Sequence, residues 1–377
     1  MQPTNLDPLS GQEVKDVSDR TFLIGPRYKH HSRFSGYEQF GAFCARTVPS
    51  LVRQRFLRNK LGRLPGIGDV GKWLDGKVSQ ITSRPLYSAG IFLIETSAAF
   101  HMMTHRNSVY HVLYGDTDVW LLRRVPRSRR KNKLIATFHE PDYALDWLQV
   151  GAIVPDLDAV ILVSESQRVY FEKLLPADRI FVAPHGIDTT FYKPAETFSD
   201  ELVGITVGSH HRDPGSLSRA LDRIYAEFPT FRLKAVGVRM EGGENPKLTD
   251  ERVEYYDGIS DEELRTMYQT AGIGIFSLNN ATANNAILEA MACGLPVVAT
   301  DIGGVREMMG ESGVLTRQWD SKSLADGVLQ VLRDRALAAK LGSAARERVL
   351  QFRYDLVADQ MRRIYAHLLD GTAHSSA

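Results

Sequence analysis

The stretch from Phe276 to Glu307, FSLNNATANNAILEAMACGLPVVATDIGGVRE, admits few folds. An apolar run over 272–277 predicts a short strand, and 278–284 is a polar loop rich in Asn, Thr and Ala. Asn285 stands where a helix cap is needed, since its side-chain oxygen can accept an orphan N–H of the first turn. The helix carries Ile287, Leu288, Ala290 and Met291 and closes at Gly294, a residue that tolerates the left-handed conformation. Pro296 opens a buried strand over 297–300, and Gly303-Gly304 turns tightly into the next helix. Strands alternating with helices at this spacing argue for a parallel sheet with helices on its faces.

Two features of this stretch suit a ligand. A helix N-terminus behind a loop presents unpaired N–H groups and a partial positive charge, which favours an anion. Glu289 lies one turn into the helix, and a carboxylate can accept two hydrogen bonds from a vicinal diol. Spacing alone fits a solvated helix glutamate better.

The run ILEAMACGLPVVATDIGG, followed by Glu307, resembles the donor-nucleotide signature of the retaining GT-B glycosyltransferases of family 4, glycosyltransferase group 1. That signature is a Glu, seven residues, then Glu-Ala-Met-Ala-x-Gly-x-Pro-Val-Val-Ala, and its second Glu matches Glu289. The resemblance implies that Glu289 holds the ribose of a nucleotide-sugar. The first Glu falls at position 281, where this chain has Ala281. A second match is VAPHGIDTTFYKP, from Val182 to Pro194, which in the family leads from the first domain into the second. Further implied donor-site positions are Gly36, in the loop after the first strand, and Gly258, where the family meets the nucleobase. Asn285, Ala286 and Ile287 at the helix N-terminus and the Gly303-Gly304 turn complete them. The family's phosphate arginine position is Ser209 here, and Arg212 lies near its lysine position, so Arg212 is the expected phosphate cation. His139, after the strand over 133–138, matches the histidine that lies near the transferred sugar. On spacing alone His139 reads equally as a structural histidine.

The rest of the chain bounds this expectation. Its 377 residues suggest two domains, and 43% hydrophobic with 24% charged residues is a globular composition. A net charge of +1 gives no case for nucleic acid, but the charge is uneven. Arg46 to Arg63 holds six basic residues and no acid, and Arg123 to Lys133 holds seven and no acid. These are either solvated surfaces or contacts with an anionic membrane surface. No apolar run reaches about 18 residues, and the polar N-terminus lacks a signal peptide's core. Cys44 and Cys293 lie far apart with no CxxC, so free thiols and a cytoplasmic location are expected, and the basic stretches extend that expectation to the membrane's cytoplasmic face. His30-His31 has no spaced partner for a metal, and none is expected.

Short β-branched runs over 21–25, 91–95, 109–114, 133–138, 159–163 and 180–183 predict the first sheet, and 202–207, 231–238 and 252–256 begin the second. Ser164 to Gln167 and Ser260 with Glu263 read as helix starts, the latter as a capping box. The expected fold is α/β and GT-B, two Rossmann-like doubly wound domains facing a central cleft. Residues 1–20 form a flexible tail, 21–195 the acceptor domain and 196–352 the nucleotide-sugar-binding domain. Residues 353–377 form a closing helix, crossing back to the first domain, and a tail. The implied reaction moves a sugar from a nucleotide diphosphate-sugar, as substrate rather than cofactor, to an acceptor hydroxyl of a small molecule, glycan or lipid-linked sugar, with retention and without a metal. His139, Arg212 and Glu289 are the expected catalytic residues. Two alternatives share the pattern: a catalytically impaired nucleotide-binding scaffold of a glycan-assembly complex, and a GT-B nucleotide-sugar epimerase.

Overall fold

The computed structural model describes residues 9, 11, 15–25, 34–39, 46–47, 67–82, 84, 86–196, 202–238 and 250–370. The features assigned to His30-His31, to most of Arg46 to Arg63 and to the C-terminal tail lie outside them. The chain divides into two units. The first comprises Met1–His31, Tyr37–Pro184 and Tyr354–Ala377, and the second Ser32–Gly36 and His185–Arg353. The chain thus changes unit after Pro184, ahead of the boundary expected at 195, and the short segment around Ser35 belongs to the second unit.

The first unit holds β1 (Thr21–Ile24), β2 (Arg46–Thr47), β3 (Val109–Val112), β4 (Lys133–Phe138), β5 (Ala159–Leu162) and β6 (Ile180–Val182). They form one parallel sheet in the order β2-β1-β3-β4-β5-β6. Its central strands are buried on both faces, which is why they read as continuous Val, Ile and Leu runs rather than alternating ones. The sequence predicts a strand over 91–95. The structure instead has a helix, Ala89–Thr104, preceded by a second helix, Ile67–Thr82, which we label α2 and α1. Ser88 caps α2 by accepting from Ile91 N at 3.2 Å, and Ile91, Glu95, Ala98, Ala99 and Met102 form its buried face at helical spacing. Residues 15–20 are not a loose tail: Val17 is buried, and Lys15 pairs with Asp370 at 2.8 Å.

The second unit holds β7 (Val203–Val207), β8 (Arg232–Val236), β9 (Val253–Tyr256), β10 (Ile273–Phe276), β11 (Val297–Thr300) and β12 (Val314–Thr316). The parallel order is β12-β11-β10-β7-β8-β9, a doubly wound sheet whose strand order reverses between β7 and β10. Pro214–Glu227 follows β7 as a helix, with Asp213 accepting from Ser216 N at 3.0 Å and Pro214 at the first helical position, where its missing N–H costs nothing. Asp261–Thr270 opens with the expected capping box of Ser260 and Glu263. The helix central to the sequence argument is Asn285–Ala292, and Gly294 beyond it takes φ +73°. The closing helix, Tyr354–Asp370, packs on the first unit, where Gln360 Nε2 donates to Val182 O at 2.7 Å.

Candidate functional site

In an open doubly wound sheet a ligand crevice forms beyond the carboxyl ends of the strands at the point of reversal. Here that point joins the loop after β7 to the loop after β10. Arg212 and Leu278 form an isolated antiparallel bridge, and Asn279 N donates to His211 O at 2.8 Å. Asn279 Nδ2 donates to Arg212 O at 2.7 Å, and Asp213 N to Ser277 O at 2.9 Å. The second loop delivers the chain to the N-terminus of Asn285–Ala292. The cap is Asn284, not Asn285: its extended backbone lets its side chain accept from Ile287 N at 3.3 Å. Asn285 is already helical, and its Oδ1 faces His185 Nδ1 at 2.8 Å. Among the described residues the N–H groups of Asn285 and Ala286 have no acceptor, which leaves two donors at the positive end of the helix.

Glu289 is buried and is not a solvated helix glutamate. The Ser35 hydroxyl donates to Oε1, and the Tyr268 hydroxyl to Oε2 at 3.1 Å. Burial pushes its pKa up to about 7, against the pull of the hydrogen bonds from Ser35 and Tyr268. Ser35 is held in place by an antiparallel bridge to Ile187, and Phe34 O accepts from Asp188 N at 2.9 Å. The Phe34 ring stacks on Phe191 with centroids 3.5 Å apart. Gly36 follows at φ +96°, buried, and a Cβ there would lie 3.4 Å from Asn285 Nδ2. Gly36, Asn285, Ala286, Ile287 and Glu289 therefore converge on one helix end.

Gly303 and Gly304 join the same region through backbone. Gly304 N donates to Ala281 O at 2.9 Å, and a Cβ on Gly303 (φ +52°) would run into that oxygen. Position 281 thus fixes the glycine turn through its carbonyl, a role that its side chain does not set. Three expected residues stand differently. Arg212 folds back on its own loop: Nε donates to Val207 O at 3.1 Å, Nη2 to the same oxygen at 2.5 Å, and Nη1 to His210 O at 3.0 Å. Burial lowers its pKa to about 10, so its cation is held mainly by carbonyl dipoles. Ser209 is half-buried in that loop, where its carbonyl accepts from Arg212 N at 3.4 Å. Gly258 is exposed at φ +68° with open space around it.

His139 belongs to the first unit, where it follows β4. Its Nε2 lies 2.7 Å from Leu113 O, and since a carbonyl only accepts, Nε2 carries a proton. Tyr37 and Tyr114 flank the ring at 5.1 and 5.0 Å. The turn is fixed from below by Asp116, a buried carboxylate at the end of the loop after β3. It accepts from His139 N at 3.0 Å and Glu140 N at 3.1 Å. Burial, then the nearby Glu140, raises its pKa to about 7. Nothing in the local pattern points to Tyr268, which sits in an ordinary helical run, or to Ser35 as a carboxylate donor. His185 lies in VAPHGIDTTFYKP, which the resemblance marks only as the passage between domains.

Residues 203–334 match the family described as glycosyl transferases group 1. A D-inositol 3-phosphate glycosyltransferase of Stackebrandtia nassauensis is 27% identical over 254 residues, 59% of this chain and 57% of that protein. An alpha-maltose-1-phosphate synthase of Mycolicibacterium smegmatis is 28% identical over 254 residues, 58% of this chain and 65% of that protein. The chain therefore spans between half and two-thirds of the length of these relatives. Among solved structures, the sucrose-phosphate synthase of Thermosynechococcus elongatus superposes with a TM-score of 0.60 at 23% identity, covering 74% of this chain and 79% of that one. Two doubly wound units and this likeness show a GT-B fold, and residues 203–334 of its second unit are similar to the group 1 glycosyl transferases.

Proposed function

We propose that the protein transfers a sugar from a nucleotide diphosphate-sugar to an acceptor hydroxyl, with retention of anomeric configuration. The observation that carries this reading is the pairing of two open N–H groups at the helix N-terminus with buried Glu289 one turn behind them. That pairing suits a ligand with a phosphate at one end and a diol at the other. Ser35 and Tyr268 hold the carboxylate in place, and the diol hydroxyls would add to or replace their bonds. In the transfer the bond from the anomeric carbon to the diphosphate oxygen breaks and a bond to the acceptor oxygen forms. The acceptor proton leaves with the diphosphate. Charge growing on the leaving group would be met by Asn285 and Ala286 N–H and the Gly303-Gly304 turn, with no metal required. His139 would lie beside the sugar, oriented by Leu113 O and Asp116.

Acceptor classes in this reading are a small molecule, a glycan or a lipid-linked sugar, and the chain would work in glycan, glycolipid or polysaccharide synthesis in the cytoplasm. No described helix is long and apolar enough to cross a membrane. A peripheral contact with anionic lipid draws support from the cations of Arg123 to Lys133 and from Phe92, Leu93, Phe100 and Met103, which α2 leaves exposed. A second reading, a nucleotide-binding scaffold with impaired transfer, is favoured by Arg212, whose guanidinium is engaged by carbonyls, and by Ser209 and Ala281 at positions where the family carries Arg and Glu.

The test is a thermal-shift panel of UDP, GDP, ADP and TDP with and without their common sugars, followed by product analysis with NMR assignment of the anomer. A rise in melting temperature with one nucleotide, and a product of retained configuration, are expected. No shift with any nucleotide would overturn the donor site. Binding without transfer or donor hydrolysis would turn the reading to the scaffold.

A further inference from the structure

The basic run from Arg123 to Lys133 splits into two kinds of residue. Arg123 pairs with Asp156 at 2.5 Å and Arg127 with Asp158 at 2.7 Å, so these two staple the first unit together. Arg129, Arg130 and Lys131 form no ion pair with any described carboxylate. They line a cavity of about 410 Å³ together with Arg20, Arg106, Asn107, Leu369 and Asp370. Five cations thus face one carboxylate, and that carboxylate, Asp370, is already engaged by Lys15 at 2.8 Å. Among the described residues Arg106 is likewise without an ion-pair partner, while Arg20 lies 3.9 Å from Asp19 and its charge also acts on Asp370. Like charges gathered at a concave surface repel one another and focus field, and an anion relieves both.

The framework beneath these side chains is fixed. Asn107 and Lys131 both hold left-handed backbone, at φ +50° and +54°, and their turns are tied together by Asn107 N donating to Arg130 O at 2.8 Å. Buried Asn132 locks both turns: its Oδ1 accepts from Ser108 N at 3.1 Å, and its Nδ2 donates to Met102 O at 2.9 Å and His105 O at 3.0 Å. Asn107 Oδ1, in the lining, is buried with no hydrogen-bond partner. Strained residues and unsatisfied polar atoms gather at binding sites more than elsewhere.

We propose that this cavity is a binding site for clustered phosphate charge, separate from the sugar-transfer centre. Its cations precede β1, β3 and β4, at the amino ends of the strands, whereas Asp116 and His139 follow β3 and β4 at the carboxyl ends. The six residues of β4, at about 3.3 Å each, set the two places roughly 20 Å apart. Arginine forks bind phosphate oxygens in pairs, and a volume of about 410 Å³ exceeds the space that a single phosphate needs. The phosphate belongs either to a lipid headgroup or to a soluble phosphate compound.

The full chain without any nucleotide-sugar is titrated with pyrophosphate by calorimetry. In parallel, it is floated with phosphatidylcholine vesicles prepared with and without phosphatidylglycerol. The double variant R129A/R130A and the single variant Arg106→Ala are compared with R124A/K133A, which removes equal charge from the same run outside the cavity. Binding that R129A/R130A and Arg106→Ala each weaken at least tenfold, and R124A/K133A leaves intact, is expected. If it is seen with pyrophosphate alone, the ligand is soluble. If it is seen with anionic vesicles, it is a headgroup. Equal losses in R129A/R130A and R124A/K133A would mean diffuse attraction and overturn the site, as would no binding in either arm. The measurement involves no sugar transfer, so it stands or falls apart from the proposed reaction.

Discussion

Glu289 is a carboxylate with its pKa pushed up to about 7, and a ribose diol donates hydrogen bonds best to the ionised form. Nucleotide affinity should therefore rise as pH passes upward through about 7. Glu289→Gln should weaken binding about tenfold or more, since a hydrogen bond to a charged group contributes roughly 1.5–3 kcal/mol, and should flatten the pH profile. Calorimetry at several pH values checks both, and an unchanged affinity would remove Glu289 from the ribose site. Asp116 predicts a separate result in the first unit. Asp116→Asn should loosen the His139 turn and slow transfer about tenfold or more while leaving nucleotide affinity intact, because Glu289 lies in the other unit. Steady-state rates set beside calorimetric Kd values decide it. At this scale the sequence showed which residue types matter but not their surroundings. Glu289 looked solvated because nothing in its neighbourhood of the chain announces Ser35 and Tyr268, which are distant in sequence and adjacent in space.

Elements were legible wherever local chemistry settles them. Ten of the twelve described strands, all but Arg46–Thr47 and Val314–Thr316, the capping box at Ser260 and the left-handed close at Gly294 follow from short-range rules. Misreadings came where local patterns are ambiguous. The run Ile91-Phe92-Leu93-Ile94 suits a strand, and its helical identity depends on a span of sixteen residues and on Glu95. That glutamate is buried inside the helix because it accepts from Trp120 N at 3.0 Å, Leu121 N at 2.9 Å and Leu122 N at 3.2 Å, partners that sequence spacing cannot reveal. The cap of Asn285–Ala292 was misplaced by one position because Asn284 and Asn285 are chemically identical and only backbone geometry separates them. The correct assignment makes a prediction. Asn284→Ala should cost about 1 kcal/mol in urea unfolding, as N-cap losses do, whereas Asn285→Ala should spare the cap and alter the contact with His185.

At the scale of the whole molecule, the buried acids set a pH dependence. Asp116, Asp118 and Glu289 all have pKa values raised to about 7 by burial. Between about pH 4 and pH 7 the folded chain then binds more protons than the unfolded chain, so these groups stabilise it most in acid and lose that contribution as pH rises through 7. The melting temperature should fall on going from about pH 5 to pH 8, and less so in Glu289→Gln. The expected boundary at 195 leaves most of VAPHGIDTTFYKP in the first domain, whereas His185 to Arg353 belongs to the second. The same division holds a further consequence. The helix Tyr354–Asp370 completes the first unit, with Tyr365 against His111 at 2.7 Å and Gln360 on β6. A ribosome therefore releases the finishing piece of the first unit last, after all of the second. For most of synthesis that sheet must wait with the His111 and Val182 contacts unmade, and a nascent chain stalled before Tyr354 would be a natural client for chaperones.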